Sequence, residues 1–182
     1  MVKKSLLILI FTVLLVFSVS GQGKRLALII GNANYTHTQP LSNPVNDANS
    51  VYFMLNQMGF DLLKYEDLNQ TDMKKAVDDF GEKLSKYEVG LFYYAGHGVQ
   101  VDGNNYLLPV DADLKSEKDA EYECIDAGRV LSKFETAGTK TSIIILDACR
   151  NNPFRSWARG EEAGFKALAP INGTIISFST SE

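Results

Sequence analysis

The sequence predicts an α/β domain of three layers, a mostly parallel central sheet with helices on both faces. Three observations carry that prediction. Short, nearly continuous apolar runs recur, as in strands buried on both faces (KRLALII at 24–30, VGLFYYA at 89–95, SIIIL at 142–146). Segments with helical apolar spacing lie between them. The two kinds alternate along the chain, which is the order that builds parallel sheets with crossover helices.

Taken in order, Lys24–Ile30 reads as a buried strand that ends in a loop at Gly31, Asn32 and Asn34. Asn46–Met58 reads as a helix, with apolar residues at Ala48, Val51, Phe53, Met54, Leu55 and Met58, stopped by Gly59. Phe60–Tyr65 is a second strand. Thr71 is the expected N-cap of the next helix, with Asp72 in its first turn and Met73, Ala76, Val77, Phe80 and Leu84 on one face. Val89–Ala95 is a strand that runs into Gly96-His97-Gly98. Tyr106–Val110 is a short extended piece. Asp126–Phe134 is a helix with Ala127, Val130, Leu131 and Phe134 inward. Ser142–Leu146, the most β-branched run, leads into Asp147-Ala148-Cys149-Arg150, and Thr174–Phe178 is the last strand. Arg150–Asn172, rich in polar residues, Gly and Pro, is the candidate mobile or processed loop.

Composition bounds the function. The chain has 182 residues, 45% hydrophobic and 22% charged, which suits one globular domain with a real core. A net charge of −4 without a basic stripe argues against nucleic acid as a partner. Two cysteines, Cys124 and Cys149, are too few for a disulfide framework. The first 21 residues stand apart: Lys3 and Lys4, an apolar run from Leu6 to Phe17, then Ser18, Ser20 and Gly21. This is the layout of a secretory signal peptide. The run is shorter than a spanning helix needs, so export to the periplasm or medium is expected and no stable membrane span. An uncleaved membrane anchor is the alternative.

In open α/β sheets, ligands bind beyond the carboxyl ends of the strands. Two strands here lead into chemically loaded segments, one with an imidazole (His97) and one with a thiol (Cys149). If those strands are neighbours, both groups meet at one edge. A thiol is a good nucleophile only as thiolate, and a nearby histidine can take its proton and later protonate a leaving amine. Taken singly, a buried cysteine is commonly a small hydrophobe, and a histidine between glycines can be a turn residue. Their joint placement favours catalysis. Cys124 falls in no motif with a mechanism and reads as structural, and His37 reads as a solvated loop residue.

The runs YYAGHG around His97 and LDACRNNPF around Cys149 are accompanied by GNANY (31–35), NPVNDA (43–48) and NNYLLPVDA (104–112). In this order they resemble the caspase-like cysteine peptidase superfamily (peptidase C14). The likeness is greater to paracaspases and bacterial metacaspase-type proteins than to animal caspases. Cys149 follows His97 by 52 residues, close to the spacing of roughly 50 in the caspase signature. Asp147 and Asn151 depart from that signature, which has Gln and Gly in their places. The resemblance implies a caspase-like fold and a cysteine endopeptidase with a Cys149–His97 dyad. It also implies an oxyanion hole made by the backbone N–H groups of Gly98 and Cys149, and a backbone carbonyl, not a third side chain, orienting the imidazole. In paracaspases and metacaspases an aspartate two residues before the nucleophile pairs with one in the first helix. Asp147 and Asp47 match those positions. Two converging carboxylates want a cation between them, and a substrate Arg, with Lys second, fits that want. The plainer reading is that Asp47 caps its helix and Asp147 bonds nearby backbone.

Other chemistries fit less well. The four Cys and His positions contain no close ligand pair of the kind structural zinc sites show. No phosphate-binding Gly loop and no serine-hydrolase elbow occurs. The acids Asp111, Asp113, Glu117, Asp119, Glu121 and Glu123 lack EF-hand order and read as a solvated loop. No cofactor is expected, and calcium dependence, known among metacaspases, stays open. The expected partner is a protein or peptide substrate. Residues 22–182 are expected to form the large-subunit part of a caspase-like domain, with the small-subunit part largely missing and low activity for this stretch alone. Arg155, Arg159 and Lys166 are candidate self-processing sites. The competing class is a catalytically silent interaction domain, against which the presence of both His97 and Cys149 counts.

Overall fold

The computed structural model describes residues 23–149 and 173–179, with residues 149 and 179 described through their backbone alone. The expected signal peptide and the segment holding Arg155, Arg159 and Lys166 lie outside the described residues. The elements are β1 (Arg25–Gly31), α1 (Pro44–Gln57), β2 (Asp61–Glu66), α2 (Gln70–Leu84), β3 (Val89–Val101) and β4 (Asn104–Leu107). After a single 3-10 turn (Glu117–Asp119) follow α3 (Ala120–Glu123), β5 (Ile125–Asp126), α4 (Ala127–Ala137), β6 (Thr141–Cys149) and β7 (Thr174–Ser179).

Five strands run parallel in the order β2-β1-β3-β6-β7, and β4 and β5 extend the far end of β3 as an antiparallel flap. Alternate side chains leave a strand on opposite faces, so each strand feeds two cores. On one face Leu26, Leu28 and Ile30 of β1, Phe92 and Tyr94 of β3, and Ile144 and Leu146 of β6 pack with Met73, Val77, Phe80 and Leu84 of α2 and with Val130 and Phe134 of α4. On the other face Ala27, Ile29, Leu91, Tyr93 and Ala95 pack with Ala48 and Leu55 of α1. The three-layer α/β expectation therefore holds, with helices on both faces. Among the described residues β7 pairs with β6 alone and forms a sheet edge.

Several local expectations are corrected. The first helix begins at Pro44, two residues early, with the proline in its first turn, where a missing N–H costs nothing. Phe53, Met54 and Met58 share the helix's apolar spacing, but all three are exposed, because only the Ala48–Leu55 stripe meets the sheet. The second helix is capped by Asn69, whose side chain accepts from the Asp72 N–H, and Thr71 lies inside the first turn. The helix after β5 is capped by the Asp126 side chain and ends at Gly138 in a left-handed conformation.

The largest correction concerns β3. It does not end at Ala95 but continues to Val101, because Gly98–Val101 pair antiparallel with Asn104–Leu107. Asp102 and Gly103, both at positive φ, make the two-residue turn between them. β6 likewise runs on to Cys149. His97 and Cys149 thus lie within strands, not in turns after them.

Candidate active site

The parallel register of β3 and β6 pairs Ala95 with Asp147, Gly96 with Ala148, and His97 with Cys149. The imidazole-bearing and thiol-bearing residues are therefore direct neighbours across two strands. Gly98 follows on β3 and already faces Leu107 of β4. The pair sits where the parallel sheet hands over to the antiparallel flap.

His97 is 6% exposed. Its Nε2 lies 2.8 Å from the carbonyl oxygen of Gln39. A carbonyl only accepts, so Nε2 carries the proton and Nδ1 carries the lone pair. Nδ1 is buried and has no hydrogen-bond partner among the described residues. Burial pushes the imidazole pKa down and the Gln39 carbonyl pushes it up. Burial wins, so the ring is held below its ordinary 6.5. Neutral His97, with a free acceptor at Nδ1, is the form the site favours.

Two tyrosines hold the backbone of His97. The Tyr35 hydroxyl accepts from the His97 N–H at 2.7 Å, and the Tyr94 hydroxyl donates to the His97 carbonyl at 2.7 Å. The two hydroxyls are 3.2 Å apart, and the Tyr35 ring lies against the imidazole with centroids 4.6 Å apart. Burial holds both phenols above their ordinary range, so both stay protonated. Gly96 makes room for this pair: a Cβ there would stand 2.5 Å from the Tyr35 hydroxyl and 2.6 Å from that of Tyr94.

Gln39 belongs to the loop between β1 and α1, and that loop is pinned at several points. Asn32, fully buried, donates to the Leu108 carbonyl and accepts from the Leu68 N–H. Asp67 accepts from the Ala33 and Asn34 N–H groups at 2.7 and 2.9 Å. Burial raises the Asp67 pKa, but these bonds outweigh it and hold the carboxyl below its ordinary value. The Leu41 N–H bonds the Ala33 carbonyl. The GNANY run thus fixes the loop that carries the orienting carbonyl. Sequence reading could not name Gln39, because a carbonyl carries no side-chain signature.

Asp47 lies on α1 and Asp147 on β6, both half-buried. The Tyr93 hydroxyl, on the α1 side of the sheet, donates to Asp147 Oδ2 at 3.1 Å. Burial first, then the charge and bond of Asp147, then the charge of Asp47 raise the Tyr93 pKa above its ordinary range. One hydroxyl therefore feels both acids. Among the described residues neither acid has an ion-pair partner. Asp47 makes no side-chain cap on α1, whose N-cap is Asn43. Tyr93 was missed in the sequence because it reads as ordinary strand filling.

The remaining candidates take bland roles. Cys124 is 3% exposed, and burial pushes its thiol up to about 12, as expected of an inert hydrophobe. His37 is exposed, with Nδ1 3.8 Å from Asp113. Asp111 accepts from the Gln70 N–H, and Asp119 accepts from the Lys115 and Ser116 N–H groups, so these acids serve turns and caps. Among the described residues no cluster of three metal-ligating side chains occurs. No described helix is long and apolar enough to cross a membrane.

Comparison with known proteins agrees with this geometry. The family model described as "Caspase domain" (peptidase C14) matches residues 24–181. The human mucosa-associated lymphoid tissue lymphoma translocation protein 1 is 35% identical over 128 residues, which cover 69% of this chain and 15% of that protein. A protein of Dictyostelium discoideum named paracaspase is 27% identical over 153 residues, covering 69% of this chain and 38% of its own length. The chain thus spans well under half the length of these relatives. The crystal structure of the Drosophila initiator caspase Dronc superposes with a TM-score of 0.55 at 15% identity, covering 67% of this chain and 47% of that one. With the family model matched along almost the whole of the strand-and-helix region, this chain belongs to the caspase-domain family of peptidases, with relatives among the paracaspases.

Proposed function

We propose that this chain carries the catalytic dyad of a cysteine endopeptidase that cleaves polypeptides after Arg, and less well after Lys. The observation that carries the reading is the register of His97 with Cys149, together with a histidine held at Nε2 and free at Nδ1. His97 Nδ1 takes the thiol proton of Cys149, and the thiolate attacks the substrate carbonyl carbon. The developing oxyanion is met by the backbone N–H groups of Gly98 and Cys149, each worth about 3 kcal/mol in sites of this kind. The imidazolium then protonates the leaving amine, the C–N bond breaks, and an acyl-enzyme remains. A water that gives its proton to His97 hydrolyses it and restores the thiol.

Asp47 and Asp147 form the pocket for the residue before the scissile bond. Both are half-buried, both act on one hydroxyl, and neither is neutralised by a described cation. A guanidinium fork pairs with carboxylates in two parallel bonds, whereas an ammonium binds as a point charge. No such pocket welcomes an aspartate.

The test is a set of peptides that differ only in that residue. Arg is expected to be cut best, Lys second and Asp not at all. Cys149→Ala and His97→Ala should each abolish cleavage with the fold intact, and the Asp47→Ala, Asp147→Ala double variant should lose Arg cleavage. Cleavage by folded Cys149→Ala protein, a preference for Asp, or unchanged Arg cleavage in the double variant contradicts the reading. The protein is further proposed to be exported, with roughly the first twenty residues removed. Intact-mass analysis from the native host should show their loss, and Met1 on a mature cytoplasmic chain would contradict it.

A further inference from the structure

Tyr93 takes no part in the dyad, yet it touches the acid pocket directly. It is 4% exposed and packs among Ala27, Ile29, Ala48 and Leu91, so its ring has little freedom. Its hydroxyl reaches Asp147 Oδ2 at 3.1 Å. A buried tyrosine needs some acceptor for its O–H, and any backbone carbonyl would serve. Here the acceptor is instead a half-buried carboxylate beside the dyad, on the residue two positions before Cys149.

We propose that Tyr93 is a positioning residue that fixes the plane of the Asp147 carboxylate and so makes the pocket discriminate Arg from Lys. The inference rests on the reading of Asp47 and Asp147 as the pocket for a basic side chain. A carboxylate turns easily about its last bond, and its plane is set by what its oxygens bond. The rigidly held Tyr93 O–H engages one lone pair of Oδ2 and leaves the rest of both oxygens available. A guanidinium fork gains from that fixed plane, because its two N–H groups must meet two oxygens at once. A lysine ammonium bonds a single oxygen from many directions and gains little. The burial and the two acids that hold the phenol protonated keep it a donor across the working pH range. The effect belongs to binding, not to the chemical step, since the Tyr93 hydroxyl bonds Asp147 whereas Tyr35 and Tyr94 hold His97.

The experiment is Tyr93→Phe, which keeps the ring and deletes the O–H, assayed with paired Arg and Lys peptides. Thermal unfolding checks that the variant is folded. The Arg peptide should lose about tenfold in kcat/KM, mostly through KM, and the Lys peptide less than about twofold, the scale of one hydrogen bond to a charged group. The Arg-to-Lys ratio should therefore fall about fivefold or more. In an Asp147→Asn background, Tyr93→Phe should change that ratio no further, because the hydroxyl acts through the carboxylate. An unchanged ratio, an equal loss on both peptides, or the same drop in the Asp147→Asn background would overturn the proposal. If the unaltered protein prefers Arg and loses that preference in the Asp47→Ala, Asp147→Ala variant while Tyr93→Phe keeps it, the Tyr93 proposal alone fails. If the unaltered protein shows no preference for Arg, the pocket reading fails and this proposal falls with it.

Discussion

Single residues here are set by their neighbours' spare hydrogen-bonding capacity. His97 has one ring nitrogen tied to Gln39 and one left open, and its burial disfavours the charged form. The sign follows: folded His97 takes up its proton at a lower pH than an unfolded histidine. Its contribution to stability is therefore present above pH 6.5 and is lost as pH falls through the lowered folded pKa. Imidazole NMR on Cys149→Ala protein, where no thiolate can couple to the ring, should show His97 titrating below 6.5. The only other histidine, His37, is assigned by its own substitution. A midpoint at or above 6.5 would contradict the burial argument. At this scale His97, Cys149, Asp47 and Asp147 were open to proposal from the sequence, because each is a reactive side chain inside a recognisable run. Gln39 and Tyr93 were not. One acts through its carbonyl, and the other resembles every aromatic residue that fills a strand.

Among the elements, the approach of α1 to β1 decides where Asp47 stands. Gly31 ends β1 under the first turns of α1, and a Cβ there would meet the Pro44 carbonyl oxygen at 2.7 Å and the Ala48 Cβ at 2.8 Å. Neither is the loose end of a flexible side chain, so the helix itself would have to move. Gly31→Ala should cost about 1–3 kcal/mol, in the range of overpacked cores, and should also lower cleavage after Arg by displacing Asp47. Denaturant midpoints and the Arg peptide together measure this. Stability and cleavage both equal to those of the unaltered protein would contradict the packing. The helices were readable from apolar spacing near 3.6 residues, and the parallel strands from nearly continuous apolar runs between them. The continuation of β3 was not, since Gly96-His97-Gly98 looks like a loop. The signal lay further on, in the Asp102-Gly103 turn, whose partners Gly98–Val101 and Asn104–Leu107 make sense only as a hairpin.

The whole molecule brings together residues distant in sequence by threading β3 and β6 side by side. Strand order cannot be read from periodicity, because any two buried strands look alike. The sequence left it as a condition that the imidazole and thiol strands be neighbours, and the register of His97 with Cys149 supplies that geometry. The fold also provides its own control. Cys149 pairs in register with His97, and Cys124 is buried with its thiol pushed up to about 12. The most direct measurement is therefore the alkylation rate of each cysteine in the native protein near neutral pH, followed by peptide mass. The account predicts that Cys149 reacts much the faster while Cys124 stays unmodified, and that His97→Ala slows Cys149 by at least about tenfold, the low end of what a paired base contributes. Equal labelling of the two thiols, or a Cys149 rate untouched by His97→Ala, would contradict the claim that these two residues form a catalytic pair.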